Sequence, residues 1–377
     1  MKIGIVTLWN TESNYGGILQ TFALQRYLRN QGHDAYVIRV LYSNSLWSKC
    51  KRILKKMMIF FNVLSPGFSY SRLLITKERD TKRKFCDFLK QYVSLSPLEY
   101  HSLLALKLFA PKADCYITGS DQVWAMPLST VGEGFHYLDF GNKNTKRISY
   151  AASFGHDTFP IEDMEQFKSY VSKLDKISVR EESGRKICES MGFEALRCVD
   201  STLLLDAKDY QKIMAPRKHS GLYAYIYSVN MTTSSEIYWN IIKNELSDRQ
   251  FKAVVTTASG YISARELFGD VVYDYATPSE WLSNLYYSSL IITSSFHGIA
   301  FSLIFRKQFV YFPLLSSFKT GNDRITDLLK LVGLEDRIVY NENDCYRVIN
   351  TPINYDEICY DGLDNLIKQS KQFLAML

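Results

Sequence analysis

The residues of this chain best suited to chemistry stand at the ends of short apolar runs. In Leu290-Ile-Ile-Thr-Ser-Ser-Phe-His297-Gly298 a run with the character of a buried strand gives way to small hydroxylated residues and a histidine. Gly298-Ile-Ala-Phe-Ser-Leu-Ile then continues with helical spacing, so His297 falls in a strand-to-helix turn. An imidazole titrates near neutrality and passes a proton in either direction, which suits a general acid or base. A histidine that only caps or packs against the helix start is the structural alternative.

Other strand ends carry polar groups in the same way. Cys115-Tyr-Ile-Thr-Gly-Ser-Asp121-Gln-Val-Trp124 reads as a strand running into a Gly-Ser-Asp turn, where Asp121 could orient a sugar hydroxyl or a loop amide; Ser120 and Trp124 flank it. Ile148-Ser-Tyr-Ala-Ala-Ser153-Phe-Gly155 repeats the pattern. Lys176-Ile-Ser-Val-Arg180-Glu-Glu-Ser sets a guanidinium at the end of a buried strand, where it has to find an anion. Glu181 or Glu182 supplies one internally, or a ligand does, and spacing alone leaves both open. Asn14-Tyr-Gly16-Gly17 lies between the first strand and its helix, and paired glycines there either bring backbone close to a ligand or make a tight turn. Lys319 and Arg324 bring cations to the rim of His297, on either side of Gly321-Asn322-Asp323, where Asn322 or Asp323 is expected to cap a helix.

The elements that must position these groups alternate. Strands at Lys2–Leu8, Tyr36–Val40, Ala195–Val199, Leu222–Tyr227, Phe251–Thr256, Leu290–Thr293 and Phe309–Phe312 are interleaved with helices, among them one about Ser235–Ser247 and one from Pro278 through Tyr287. This predicts an α/β chain of two sequential Rossmann-like halves. We expect an N-terminal domain over 1–214 with a basic and apolar insertion at about 44–76. A C-terminal domain over 215–355 follows the polar stretch Ala215–Gly221, and a last helix over 356–377 packs back on the first half.

Composition sets wide limits. With 377 residues, 46% of them apolar and 14% aromatic, both halves can bury a core. A net charge of +6 and a pI near 8.7 favour anionic partners only modestly, and no nucleic-acid motif appears. The seven cysteines are scattered without C-x-x-C pairing, which points to reduced thiols rather than disulfides or zinc. No cluster has metal-ligand spacing, so no metal is expected. The glycines do not form G-x-G-x-x-G and no acidic residue ends the second strand, so a nicotinamide cofactor is not expected. The start of the chain, a short strand broken at Trp9-Asn10-Thr11-Glu12, lacks a secretory pattern, and a cytoplasmic location is expected. Between Leu46 and Leu74, Lys49, Lys51, Arg52, Lys55 and Lys56 lead into Met57-Met58-Ile59-Phe60-Phe61. That run is too short to span a bilayer, and either lies in an anionic membrane interface or packs as an insertion helix.

Taken in order, Asn14-Tyr-Gly-Gly, Gly119-Ser-Asp-Gln-Val-Trp, Ser178-Val-Arg-Glu-Glu-Ser, Ser295-Phe-His-Gly and Arg324-Ile-Thr-Asp-Leu-Leu resemble the polysaccharide pyruvyl transferase family. The likeness runs over nearly the whole chain outside Leu46–Leu74. It implies a fold similar to the two-domain glycosyltransferases called GT-B, with a cleft between the domains, and transfer of a pyruvyl group from phosphoenolpyruvate to sugar hydroxyls as a ketal. Carried over by motif, His297 matches the family's catalytic histidine, Arg180 the arginine of its Arg-Glu motif, and Lys319 a downstream basic residue tied to the donor. Many members place an arginine two residues before the histidine; Ser295 stands there in this chain. Lys319 or Arg324 then supplies that charge, or the donor or acceptor is gripped differently.

With this resemblance beside the reading of strand ends and helix starts, His297 and Asp121 are assigned to catalysis. Arg180, Lys319, Arg324, Ser295, Gly298, Asn14, Gly16 and Gly17 are assigned to the donor, and Ser120, Trp124 and Ser153 to the acceptor. No cofactor is needed beyond phosphoenolpyruvate as donor substrate. The implied acceptor is a sugar of a surface or capsular polysaccharide repeat unit on a polyprenyl diphosphate. A peripheral position at the inner face of the cell membrane, through about Lys49–Phe61, goes with it. The rivals are a GT-B glycosyltransferase using a nucleotide-sugar, and an inactive sugar-binding component of polysaccharide assembly.

Overall fold

The computed structural model describes residues 1–41, 78–125, 132–258, 266–315 and 321–377. The basic segment Lys49–Phe61 and Lys319 lie outside the described residues. The alternating apolar runs resolve into two parallel sheets. In the first half β1 (Lys2–Val6), β2 (Asp34–Val40), β3 (Leu95–Tyr100), β4 (Cys115–Asp121), β5 (Lys146–Ala152), β6 (Ser178–Val179) and β7 (Leu196–Arg197) lie in the order β3-β2-β1-β4-β5-β6-β7. In the second half β8 (Tyr223–Ser228), β9 (Lys252–Thr257), β10 (Val272–Tyr273), β11 (Leu290–Thr293) and β12 (Phe309–Tyr311) lie in the order β10-β9-β8-β11-β12. Every strand pairing is parallel.

The first half contains α1 (Tyr15–Asn30), α2 (Phe85–Tyr92), α3 (Leu103–Leu108), α4 (Met164–Val171) and α5 (Glu182–Ser190). After α6 (Ala207–Gln211), the second contains α7 (Trp239–Asp248), α8 (Pro278–Tyr287), α9 (Phe296–Ile304), α10 (Asp323–Lys330) and α11 (Glu342–Asn350), and α12 (Asp361–Ala375) closes the chain. The expected single helix about Ser235–Ser247 is instead a 3-10 turn over Ser234–Ile237 and then α7, separated by Tyr238 with φ of 51°.

Strand order reverses between β1 and β4 in one sheet and between β8 and β11 in the other. Ligands of open α/β sheets bind beyond the carboxyl ends of the strands at such reversals. Both reversals meet at α1. This helix is buried along nearly its whole length, from Tyr15 to Leu28, because it touches β2 and β4 of its own half and also α8 and α9 of the other. The polar side chains that it buries, Gln20, Thr21 and Gln25, are all hydrogen-bonded.

One apolar core runs through both halves, beside smaller clusters that belong to one half each. Tyr15, at the start of α1, stacks on Trp281 of α8 at 5.4 Å between ring centroids. It also meets Tyr227 of β8 edge-on and donates its hydroxyl to the Ala276 carbonyl at 2.6 Å. The alternation Tyr-Ala-Tyr-Ile-Tyr in β8 sends Tyr223, Tyr225 and Tyr227 to this shared core, while Ala224 and Ile226 face a second cluster behind the sheet. The last helix reaches the first half: Ser370 Oγ accepts from the Val199 amide at 2.9 Å, and Lys146 donates to the Met376 carbonyl. The six described cysteines are free.

Candidate functional site

β11 ends at Thr293, and Ser295 caps α9 by accepting from the Gly298 amide. His297 therefore sits in the first turn of α9, 8% exposed, with its ring directed across the seam to the first half. The fit is tight: a Cβ on Gly16 would lie 1.9 Å from His297 Nδ1. Only a residue without a Cβ at this position of α1 leaves room for the imidazole.

On its other nitrogen the imidazole faces Asp200. His297 Nε2 lies 3.8 Å from Asp200 Oδ1, an ion-pair distance too long for a hydrogen bond. Asp200 is 1% exposed and works as a hub. Oδ2 accepts from Ser120 Oγ at 2.6 Å and from Arg180 Nη1 at 2.9 Å, while Oδ1 accepts from the amide and hydroxyl of Thr202. Burial pushes the carboxyl up, but His297, Arg180 and Ser120 outweigh it and hold it well below the usual carboxylate range.

Arg180 occupies the end of β6 with its guanidinium over the Phe296 ring at 4.8 Å. Besides Asp200 it donates through Nε to Glu181 Oε1 and through Nη2 to Ser153 Oγ, each at 2.9 Å. Burial opposes its charge, but Glu181, Asp200 and Asp121 raise its pKa above the ordinary arginine value. One N–H on each terminal nitrogen is left for a further acceptor. The internal anion is thus Glu181 together with Asp200. Glu182 pairs with Arg185 instead.

Arg324, in the first turn of α10, completes the cationic side. Its Nε donates to the Gly321 carbonyl, and the Gln122 carboxamide oxygen, oriented by this network, accepts from Nη1 at 2.6 Å and Nη2 at 3.0 Å. Burial and the like charge of Arg180 lower the Arg324 pKa; two guanidiniums therefore stand close together where an anion would relieve both. Asp121 lies at the floor. It closes β4 with φ of 78°, so Gly119-Ser-Asp is the end of the strand rather than the turn expected. Oδ1 accepts from the Gln122 amide, and Oδ2 lies 3.3 Å from where a Cβ on Gly17 would be.

Several expected site residues are placed otherwise. Ser120 is fully buried and spent on Asp200, and Ser153 donates to Glu181 at 2.5 Å. Trp124, expected at the acceptor, stacks on Tyr137 at 5.7 Å inside the first-half core with its indole N–H on the His136 carbonyl. These three shape the site from behind. Gly298 packs against the end of its own strand, where Thr293 Oγ1 lies 2.4 Å from its would-be Cβ. Asn14 caps α1 by accepting from the Gly17 amide at 2.9 Å, and Ser295 does the same service for α9. Asn322 does not cap α10 with its side chain but ties Tyr311 and both polar groups of Leu314 to the helix start.

Asp200, Gln122 and Phe296 were missed. The first carried a readable signal, since Arg197-Cys-Val-Asp200-Ser-Thr repeats the pattern of a strand end followed by an acid and hydroxyls. A model of the polysaccharide pyruvyl transferase family matches residues 14–316, a span from Asn14 at the cap of α1 past His297. The chain belongs to the polysaccharide pyruvyl transferase family.

Comparison with curated proteins finds no significant match. Among solved structures this family member is similar over the full length of both chains to the UDP-GlcNAc 2-epimerase of Methanocaldococcus jannaschii, at 10% identity and a TM-score of 0.51. It is similar to the Neisseria meningitidis epimerase bound to UDP-GlcNAc over the full length of both chains, at 11% identity and 0.50. A third, S. aureus TarM in complex with UDP, gives 10% and 0.52 over 99% of this chain and 98% of that one. At such identities the likeness establishes the fold, which is GT-B. Among the described residues no helix is long and apolar enough to cross a membrane.

Proposed function

We propose that this pyruvyl transferase family member takes its pyruvyl group from phosphoenolpyruvate. In this reading it closes the group as a ketal on two hydroxyls of a sugar in a surface or capsular polysaccharide repeat unit borne by a polyprenyl diphosphate. The observation that carries this reading is the meeting of His297 from one half with Gly16, Asp200 and Arg180 from the other, beside Arg324. Phosphoenolpyruvate presents a carboxylate and a phosphate, and the free N–H groups of Arg180 and the guanidinium of Arg324 suit them. Arg324 then stands in for the arginine that many relatives carry at the position of Ser295.

His297 gives a proton to the C3 methylene, which makes C2 electrophilic. A sugar hydroxyl adds there and phosphate departs. Asp200 balances the charge of the imidazolium, and Gly16 fixes the plane of the ring. Asp121 orients the acceptor. No cofactor enters this scheme.

Release of phosphate from phosphoenolpyruvate, against release of nucleotide from a nucleotide-sugar, is the deciding assay. The glycosyltransferase rival draws support from a fold shared with UDP-bound structures, and nucleotide release without phosphate release would establish it. The reading also places the protein in the cytoplasm at the inner membrane face, with Lys49–Phe61 against anionic lipid. Replacing the five basic residues of that segment should abolish binding to anionic vesicles, and undiminished binding would reject the dock.

A further inference from the structure

Ketal formation moves two hydroxyl protons, one of which ends on C3 and the other on the departing phosphate. Resting on the pyruvyl-transfer reading, the balance is as follows. His297 protonates C3 and recovers a proton from the first hydroxyl as its oxygen bonds to C2. The C2–O bond to phosphate then breaks, the second hydroxyl bonds to C2, and its proton leaves with the phosphate.

Among the described residues, two carboxylate oxygens near the arginines are buried without a hydrogen-bond partner: Asp121 Oδ2 and Glu181 Oε2. Asp121 Oδ2 is turned to the start of α1. Glu181, 5% exposed, has Oε1 committed to Ser153 and Arg180. Together with Arg180, Arg324 and Phe296 it lines a cavity of ≈ 20 Å³, room for about one water-sized group. That volume admits a hydroxyl. We propose that Glu181 is the catalytic base for the second hydroxyl: its free oxygen takes that proton and passes it to the phosphate held on the neighbouring arginines. In this reading His297 meets the first hydroxyl of the diol and Glu181 the second.

The test separates the two halves of the reaction. In D2O, exchange of deuterium into the C3 position of phosphoenolpyruvate, in the presence of a diol acceptor, reports the His297 step alone. Glu181→Gln keeps an oxygen for Arg180 and Ser153, and should retain this exchange while ketal formation falls by about 100-fold or more. His297→Gln should lose both. Glu181→Asp, which keeps a carboxylate but shortens it, should form more ketal than Glu181→Gln. If Gln outperforms Asp, or if exchange and ketal formation fall in parallel, Glu181 only anchors Arg180 and the proposal is overturned. A wild-type protein that neither exchanges C3 nor releases phosphate would instead overturn the pyruvyl-transfer reading itself.

Discussion

Asp200→Asn tests whether one carboxylate holds the seam between the halves. Asparagine is isosteric, so packing is preserved and charge alone changes. In the native protein Asp200 accepts from Ser120, Arg180 and Thr202 and faces His297 at 3.8 Å. The amide nitrogen of asparagine must take the place of one carboxylate oxygen. It then points a donor either at Ser120 and Arg180 Nη1 or at the two donors of Thr202. Removing one member of a buried ion pair costs about 3–5 kcal/mol. Arg180 keeps Glu181, which places the expected loss at the lower end, about 3 kcal/mol. At roughly 2 °C per kcal/mol for a chain of this size, the midpoint should fall by about 6 °C.

The pH dependence gives a second check. Folding holds the Asp200 carboxyl below its unfolded value. The stability it contributes is therefore complete above an unfolded pKa of about 3.9, and is lost only as pH falls through the lower native value. Denaturant titrations of wild type and variant should still differ at pH 5 and converge only below about pH 4. A variant within about 1 kcal/mol of wild type at pH 7 would refute the hub, as would convergence already at pH 6.

Gly16→Ala places a Cβ 1.9 Å from His297 Nδ1; phosphate release should fall by about 100-fold because the ring is displaced, measured beside a melt that shows the fold retained. His297→Gln should lower phosphate release by about 10²–10⁴-fold, measured beside a melt that shows the fold retained. Tyr15→Phe removes the hydroxyl bond to Ala276 and should cost about 1 kcal/mol by denaturant titration, the stack on Trp281 remaining. Arg324→Lys loses the paired donation to Gln122 and its planar fork, and should raise KM for phosphoenolpyruvate roughly tenfold with kcat nearly unchanged.

What could be read in sequence was set by range. Strand ends declare themselves locally, through an apolar run that stops at a polar residue, and so His297, Arg180, Asp121 and the glycines at 16 and 17 were visible. Their partners were not, because pairing is a long-range fact. Ser120 and Asp200 are separated by 80 residues, and nothing near either one says that they bond. The same limit explains the misplaced acceptor residues. Ser120, Trp124 and Ser153 stand in polar motifs, and only the packing of Tyr137 on Trp124 and of Asp200 and Glu181 on the serines turns them inward. Gly16 and Gly298 look alike as glycines at helix starts, yet one faces a side chain of the other half and the other its own strand.

The division of labour across the seam follows from the same topology. Each sheet reverses its strand order once, and each reversal exposes helix starts and strand ends to the same gap. The first half brings α1, Asp121, Arg180 and Asp200 to that gap, and the second brings His297 and Arg324. Neither half holds both an acid–base group and a complete pair of arginines. A shift of one half against the other therefore moves His297 off Gly16 and Arg324 off Gln122 together, and catalysis and donor binding are lost or gained in one step. Tyr15 adjoins Gly16 in the chain and is clamped by Ala276 and Trp281 of the second half, so the contact that welds the halves also sets the imidazole. Tyr15→Phe should for this reason lower phosphate release by more than its small stability cost accounts for; a rate unchanged at saturating substrate would show the weld and the site to be independent.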